Sequence, residues 1–113
     1  RMNEIHKAIR GILDQLAIKQ STISYKSLAD CVGITPPGQI KKITDILETL
    51  IIEDHNENRP LIGALVTGRN GLPGRGFFQL CKKINRYFGP DTGPQALVFH
   101  ELERKLVYNS KKL

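Results

Sequence analysis

Residues Thr67 to Phe78, TGRNGLPGRGFF, hold four glycines and two arginines and no acid. Glycines this dense leave backbone N–H groups uncovered, and arginine adds a rigid fork of donors that matches phosphate. The chemistry such a stretch suits is binding of a phosphate-bearing polyanion, not bond making. Two other readings stay open. An apolar strand, a glycine loop and a helix in succession could point amides at a single anion or nucleotide, although neither G-x-G-x-x-G nor Gly-Lys-Ser/Thr is present. Alternatively, the glycines only permit positive φ in a tight crossing, with Leu72 and Pro73 packed down.

The charge pattern favours the polyanion. The formal net charge is +6, and residues 58 to 90 contain no Asp or Glu but carry Arg59, Arg69, Arg75, Lys82, Lys83 and Arg86. Elsewhere eleven basic residues balance eleven acidic ones. Charge segregated in this way predicts a local positive field, although a basic face kept for solubility would read the same.

Other reactive residues give weaker patterns. His6, His55 and His100 are scattered and read as surface or capping histidines. His100-Glu101-Leu102 lacks the second histidine of H-E-x-x-H. Glu53, Asp54, His55 and Glu57 cluster on a polar turn that is not expected to converge on a metal. Cys31 and Cys81 read as reduced, buried, structural thiols. No serine sits in a nucleophile elbow. The expectation is no catalysis, no metal and no cofactor. Tyr25, Tyr87, Phe77, Phe78, Phe88 and Phe99 could stack on bases, but at helical spacing most are expected in the core.

The elements that must position these residues follow from periodicity. Met2, Ile5, Ala8, Ile9, Ile12, Leu13 and Leu16 predict a first amphipathic helix. A short second helix opens near Ser24, turns Leu28, Cys31 and Val32 inward and stops at Gly33. Thr35 and Pro36 are expected to open a third, whose face is Ile40, Ile43, Leu47 and Leu50, supported by Ile46 and Ile51. LIGALVT reads as a buried strand. Phe77, Leu80, Cys81, Ile84 and Phe88 predict a fourth helix with Gly89 past its end. Thr92 and Pro94 open a fifth, braced by Glu101 and Lys105. The chain is expected to be one mainly α domain over residues 1–113, a body to residue 88 and a C-terminal helical extension from 89.

Three N-terminal helices, then a strand and a Gly/Arg loop, resemble a winged helix-turn-helix domain. The resemblance implies that the third helix enters the major groove and that a β-hairpin wing or short strand touches the backbone. Gln39, Lys41 and Lys42 would stand at the entering end, and Arg69 and Arg75 on the wing. Lys82, Lys83 and Arg86 would extend the basic surface. More narrowly, ISYKSLADCVG, ILETL and RPLIGALVTGRNGLPGRG are similar to the DNA-binding domain of alkylguanine-DNA alkyltransferases and their alkyltransferase-like relatives. Tyr25, Leu28 and Ala29 fit that family's Tyr-x-x-Leu-Ala helix. Where its Pro-Cys-His-Arg active site falls, this chain reads LIGALV, so the resemblance implies the scaffold and not alkyl transfer.

The expected function is therefore non-catalytic binding of nucleic acid, DNA first. The alternative is a protein-interaction or effector module on the same scaffold, with a homodimer or protein partner on the last helix around Val98, Leu102 and Val107. No stretch reads as a membrane span or signal peptide, so a soluble cytoplasmic protein is expected.

Overall fold

Helix α1 spans Met2–Lys19, where apolar residues recur every three to four positions and so share one side. Ile9, Leu13 and Ala17 are buried, with Ile5, Ile12 and Leu16 half-buried beside them. Ala8 turns out to be exposed, and Ala17 continues the four-residue step that starts at Ile9. The computed structural model describes residues 2–112, apart from the side chain of Met2, so that part of the expected stripe lies outside the described residues.

Strand β1 (Ile23–Ser24) leads into α2 (Tyr25–Cys31), which opens where expected: the Ser24 hydroxyl accepts from the Ser27 amide at 3.0 Å. Gly33, at φ 77°, ends the helix. Leu28 and Ala29 face the core, but Cys31 is exposed, contrary to expectation. At about 100° per residue, Val32 returns to the Leu28 side and Cys31 falls short of it.

Helix α3 runs Gln39–Asn56, later than Thr35 and Pro36 suggest, and its N-cap is Gly38 at φ 75°. Pro37 pushes Pro36 away from helical backbone, which delays the start. Ile43, Ile46, Leu47, Leu50 and Ile51 are buried, whereas Ile40, expected on the same face, is 47% exposed.

LIGALVT is buried as expected, but only its end is a strand. Ile62–Leu65 coil into a 3-10 turn and Val66–Thr67 form β2. A Cβ on Gly63 would lie 2.8 Å from Ile51 Cγ1, so the backbone presses on α3 more closely than any side chain would allow. α1, α3 and α5 all pack on this turn, which makes it the centre of the molecule. β2 pairs in parallel with β1, Ile23 opposite Val66 and Ser24 opposite Thr67. The sheet is thus closed through the α2–α3 crossover that a parallel pair requires, and the two strands do not form a hairpin.

Helix α4 (Arg75–Lys83) is shorter than the apolar spacing suggests, because Asn85 turns left-handed at φ 62°. Phe88 is consequently beyond the helix and 80% exposed. Helix α5 (Pro94–Ser110) has Pro94 in its first turn, with Gly93 and not Thr92 at the cap, and the expected Glu101–Lys105 pair forms at 3.4 Å. Val107 joins the core of α1, α2, α3 and the turn, while Ala96 joins a second cluster with Phe77, Phe78 and Tyr87. In that cluster Phe99 stacks on Tyr87 at 4.5 Å between ring centres, and Phe77 and Phe78 meet edge to face at 5.4 Å. The molecule is compact and mainly helical with one small parallel sheet. Among the described residues no helix is long and apolar enough to cross a membrane.

Candidate functional site

Leaving β2, the chain folds the glycine loop onto itself. The Gly68 amide donates to the Leu72 carbonyl at 2.7 Å, and the Gly71 amide to that of Gly68 at 3.1 Å. The Leu72 amide donates to Asn70 Oδ1 at 3.1 Å, a side-chain turn that this residue type favours. Gly71 needs its positive φ of 79° to close the bend. Pro73 is buried and Leu72 half-buried. Finally the Gly74 amide donates to the Tyr25 hydroxyl at 2.8 Å, which pins the loop to the start of α2. Burial raises the Tyr25 phenol above its ordinary value, against the opposing effect of the Gly74 hydrogen bond. The amides of Gly68, Gly71, Leu72 and Gly74 are thus already donated within the protein.

Beside the pinned loop lies a groove of about 290 Å³. Ile40, Thr44, Leu47, Glu48 and Ile51 of α3 form one bank, and Gly74, Gly76 and Phe77 the other, with Tyr25 and Gly63 completing it. The residues of the first bank fall on one stripe of the helix by their spacing. The Thr44 hydroxyl is spent on the Lys41 carbonyl at 2.9 Å. Neither the groove nor Glu48 was anticipated from sequence, since the groove combines one stripe of α3 with three glycines, Gly63, Gly74 and Gly76, that carry no side-chain signal.

The residues expected to touch nucleic acid fall into two sets. Arg69 stands exposed on the loop, Arg75 exposed at the first turn of α4, and Lys42 and Lys83 are exposed too; none of these has an ion pair among the described residues. The others are engaged. Lys82 reaches Asp91 at 2.7 Å and Arg86 reaches Glu103 at 3.1 Å. The Lys82 ammonium is the main reason the Asp91 carboxyl lies below the usual carboxylate range. Lys41 pairs with Asp45 at 3.0 Å on its own helix. Gln39 ties α3 to α2, donating to Asp30 at 2.6 Å and to the Ile34 carbonyl at 2.8 Å. Asp30 is held low, first by Lys26 and then by Gln39. Acids outside the acid-free stretch therefore return to it in three dimensions, a pairing that sequence order hides.

Two groups read as reactive or surface residues are structural. His100 is 2% exposed, and its Nε2 lies 2.8 Å from the Ala64 carbonyl, so the ring spans α5 and the central turn as a core group. This corrects its reading as a surface or capping histidine. Asp54 is 1% exposed and sits where α3 meets the turn. Its Oδ1 accepts from Arg10 at 2.9 Å and Arg59 at 3.0 Å, and its Oδ2 accepts from the Ile62 amide at 3.0 Å. The Cys81 thiol, pushed up to about 12 by burial and then by Glu103, keeps its proton at neutral pH and is no nucleophile. No family model, curated protein or solved structure matches the chain.

Proposed function

We propose that this protein binds nucleic acid, DNA in the first instance, without catalysing a reaction on it, and that it does so in the cytoplasm. The carrying observation is the groove that sets Gly74 and Gly76 beside Ile40 and Thr44, because it brings the Gly/Arg loop alongside the first turns of α3. Arg69, Arg75 and Lys42 then offer cations held in no ion pair among the described residues, the condition for exchanging counterions with phosphate. In this reading α3 approaches the groove of the duplex with Lys42 leading, and Gln39 and Lys41 contribute less because Asp30 and Asp45 hold them. The loop after β2 takes the place of a wing on a winged-helix-like scaffold. Lys83 extends the surface, and Lys82 and Arg86 contribute less because Asp91 and Glu103 hold them.

The test is fluorescence anisotropy of labelled duplex and single-stranded oligonucleotides across a salt series. Replacing Arg69 and Arg75 with alanine should weaken binding alike for all sequences and flatten the salt slope by about one unit for each arginine. An unchanged slope in the folded double variant would remove the loop from the interface.

A second reading draws on α5, where Leu97, Val98, Leu102 and Leu106 are each about half exposed. Such an apolar surface fits a protein partner or a second copy. Val107, which the sequence suggested for this surface, is instead buried in the core. Sedimentation of the free protein alongside a Leu102→Lys/Leu106→Lys variant separates self-association from nucleic-acid binding.

A further inference from the structure

The groove has a chemistry of its own. Its walls are the apolar side chains of Ile40, Leu47, Ile51 and Phe77 and the bare backbone of glycines, and Glu48 is the only charged residue among those lining it. Glu48 has no ion-pair partner among the described residues. Its carboxylate stands over the first turn of α4, since a Cβ built on Gly76 would lie 3.9 Å from Oε2. Tyr25 borders the same space. Its hydroxyl oxygen accepts from the Gly74 amide at 2.8 Å, which leaves the phenolic proton free to be donated.

The geometry points to a binding site for a small planar aromatic cation, an aryl amidine, with its ring between the apolar walls and its charged nitrogens on Glu48. Apolar walls reward a ring, and a lone carboxylate beside them rewards positive charge over neutral or negative groups. A space of about 290 Å³ lies at the lower limit of ligand sites, which suits a small occupant. The glycines keep that space open. At Gly76 a Cβ meets nothing closer than Glu48 at 3.9 Å, so alanine is sterically tolerated there but fills part of the groove. The groove is the one that lies beside the proposed nucleic-acid surface, but a small cation needs no oligonucleotide to occupy it, so the two readings are tested separately.

Benzamidine is the probe, titrated into the ¹⁵N-labelled full chain and followed by amide shifts, with neutral benzamide and anionic benzoate as shape-matched controls. Benzamidine should bind saturably and shift Gly63, Gly74, Gly76 and Phe77, about tenfold more tightly than benzamide, with benzoate weakest. Glu48→Gln should bring benzamidine down to the benzamide level and leave benzamide unchanged. Gly76→Ala should weaken both ligands in a protein whose spectrum stays dispersed. Equal affinity for benzamidine and benzamide, an unaffected Glu48→Gln variant, shifts located elsewhere, or no saturable shift with any probe would each overturn the site.

Discussion

At Gly63 the main chain runs against Ile51, with a missing Cβ the only reason the two fit. Gly63→Ala should therefore lower stability by about 1–3 kcal/mol, the cost of forcing a methylene into a packed core. Gly11 supplies the contrast: it is exposed within α1, and nothing lies within 4 Å of an added Cβ. Gly11→Ala should raise stability by about 0.5–1 kcal/mol through helix propensity alone. Urea midpoints of the two variants decide the matter, and equal shifts in one direction would contradict the packing. His100 sets a pH dependence at the same scale. Burial lowers its affinity for protons, with Arg104 adding to that and the Ala64 hydrogen bond opposing it. A base with a lowered folded value binds protons more weakly when folded. Its neutral form stabilises the fold fully above about 6.5, the unfolded value, and that stability is lost as pH falls from there toward the folded value. Unfolding midpoints should drop between pH 7 and pH 5 in the parent and drop less in His100→Gln. Parallel profiles would assign the dependence to other groups.

Among the elements, Asp54 joins what periodicity alone would leave separate. One buried carboxylate takes Arg10 from α1, Arg59 from the chain after α3, and the amide that opens the central turn. Asp54→Ala should cost about 1–3 kcal/mol, because the buried Ile62 amide loses its acceptor while Arg10 keeps only Glu53, at 3.1 Å, among the described residues. A loss below about 1 kcal/mol in thermal or urea unfolding would show the network to be dispensable, as an exposed pair would be. How readable the elements are follows the same division. The Ser24 cap, the Gly33 stop and the stripe through Ile9 and Leu13 are local, set by side chains within a turn or two of one another. The exposure of Ile40 and the coiling of Ile62–Leu65 depend on what packs against them. For the same reason the candidate groove was illegible: its banks come from separate elements, and the Gly74 bank is tied down by the hydroxyl of distant Tyr25.

Over the whole molecule, charge separates into cations that hold the fold and cations left for a partner. Arg86 lies against Glu103, whose side chain is 9% exposed, while Arg69 and Arg75 face solvent. Arg86→Ala should then destabilise the protein by about 1–3 kcal/mol, leaving a nearly buried carboxylate unpaired, and should barely alter the salt slope of oligonucleotide binding. The Arg69 and Arg75 substitutions should do the reverse. If the stability and slope effects do not divide in this way, the two sets are not distinct. By itself the sequence determined the helical class, the buried run LIGALVT, the Ser24 cap and the Gly33 stop, and the one-sided basic composition, because each is a property of neighbouring residues. Only the tertiary structure decided that β2 pairs in parallel with β1, that His100 and Asp54 belong to the core, and which cations remain unpaired. Those are contacts between distant residues, fixed by the packing of α1, α3 and α5 on the central turn, and no local pattern records them.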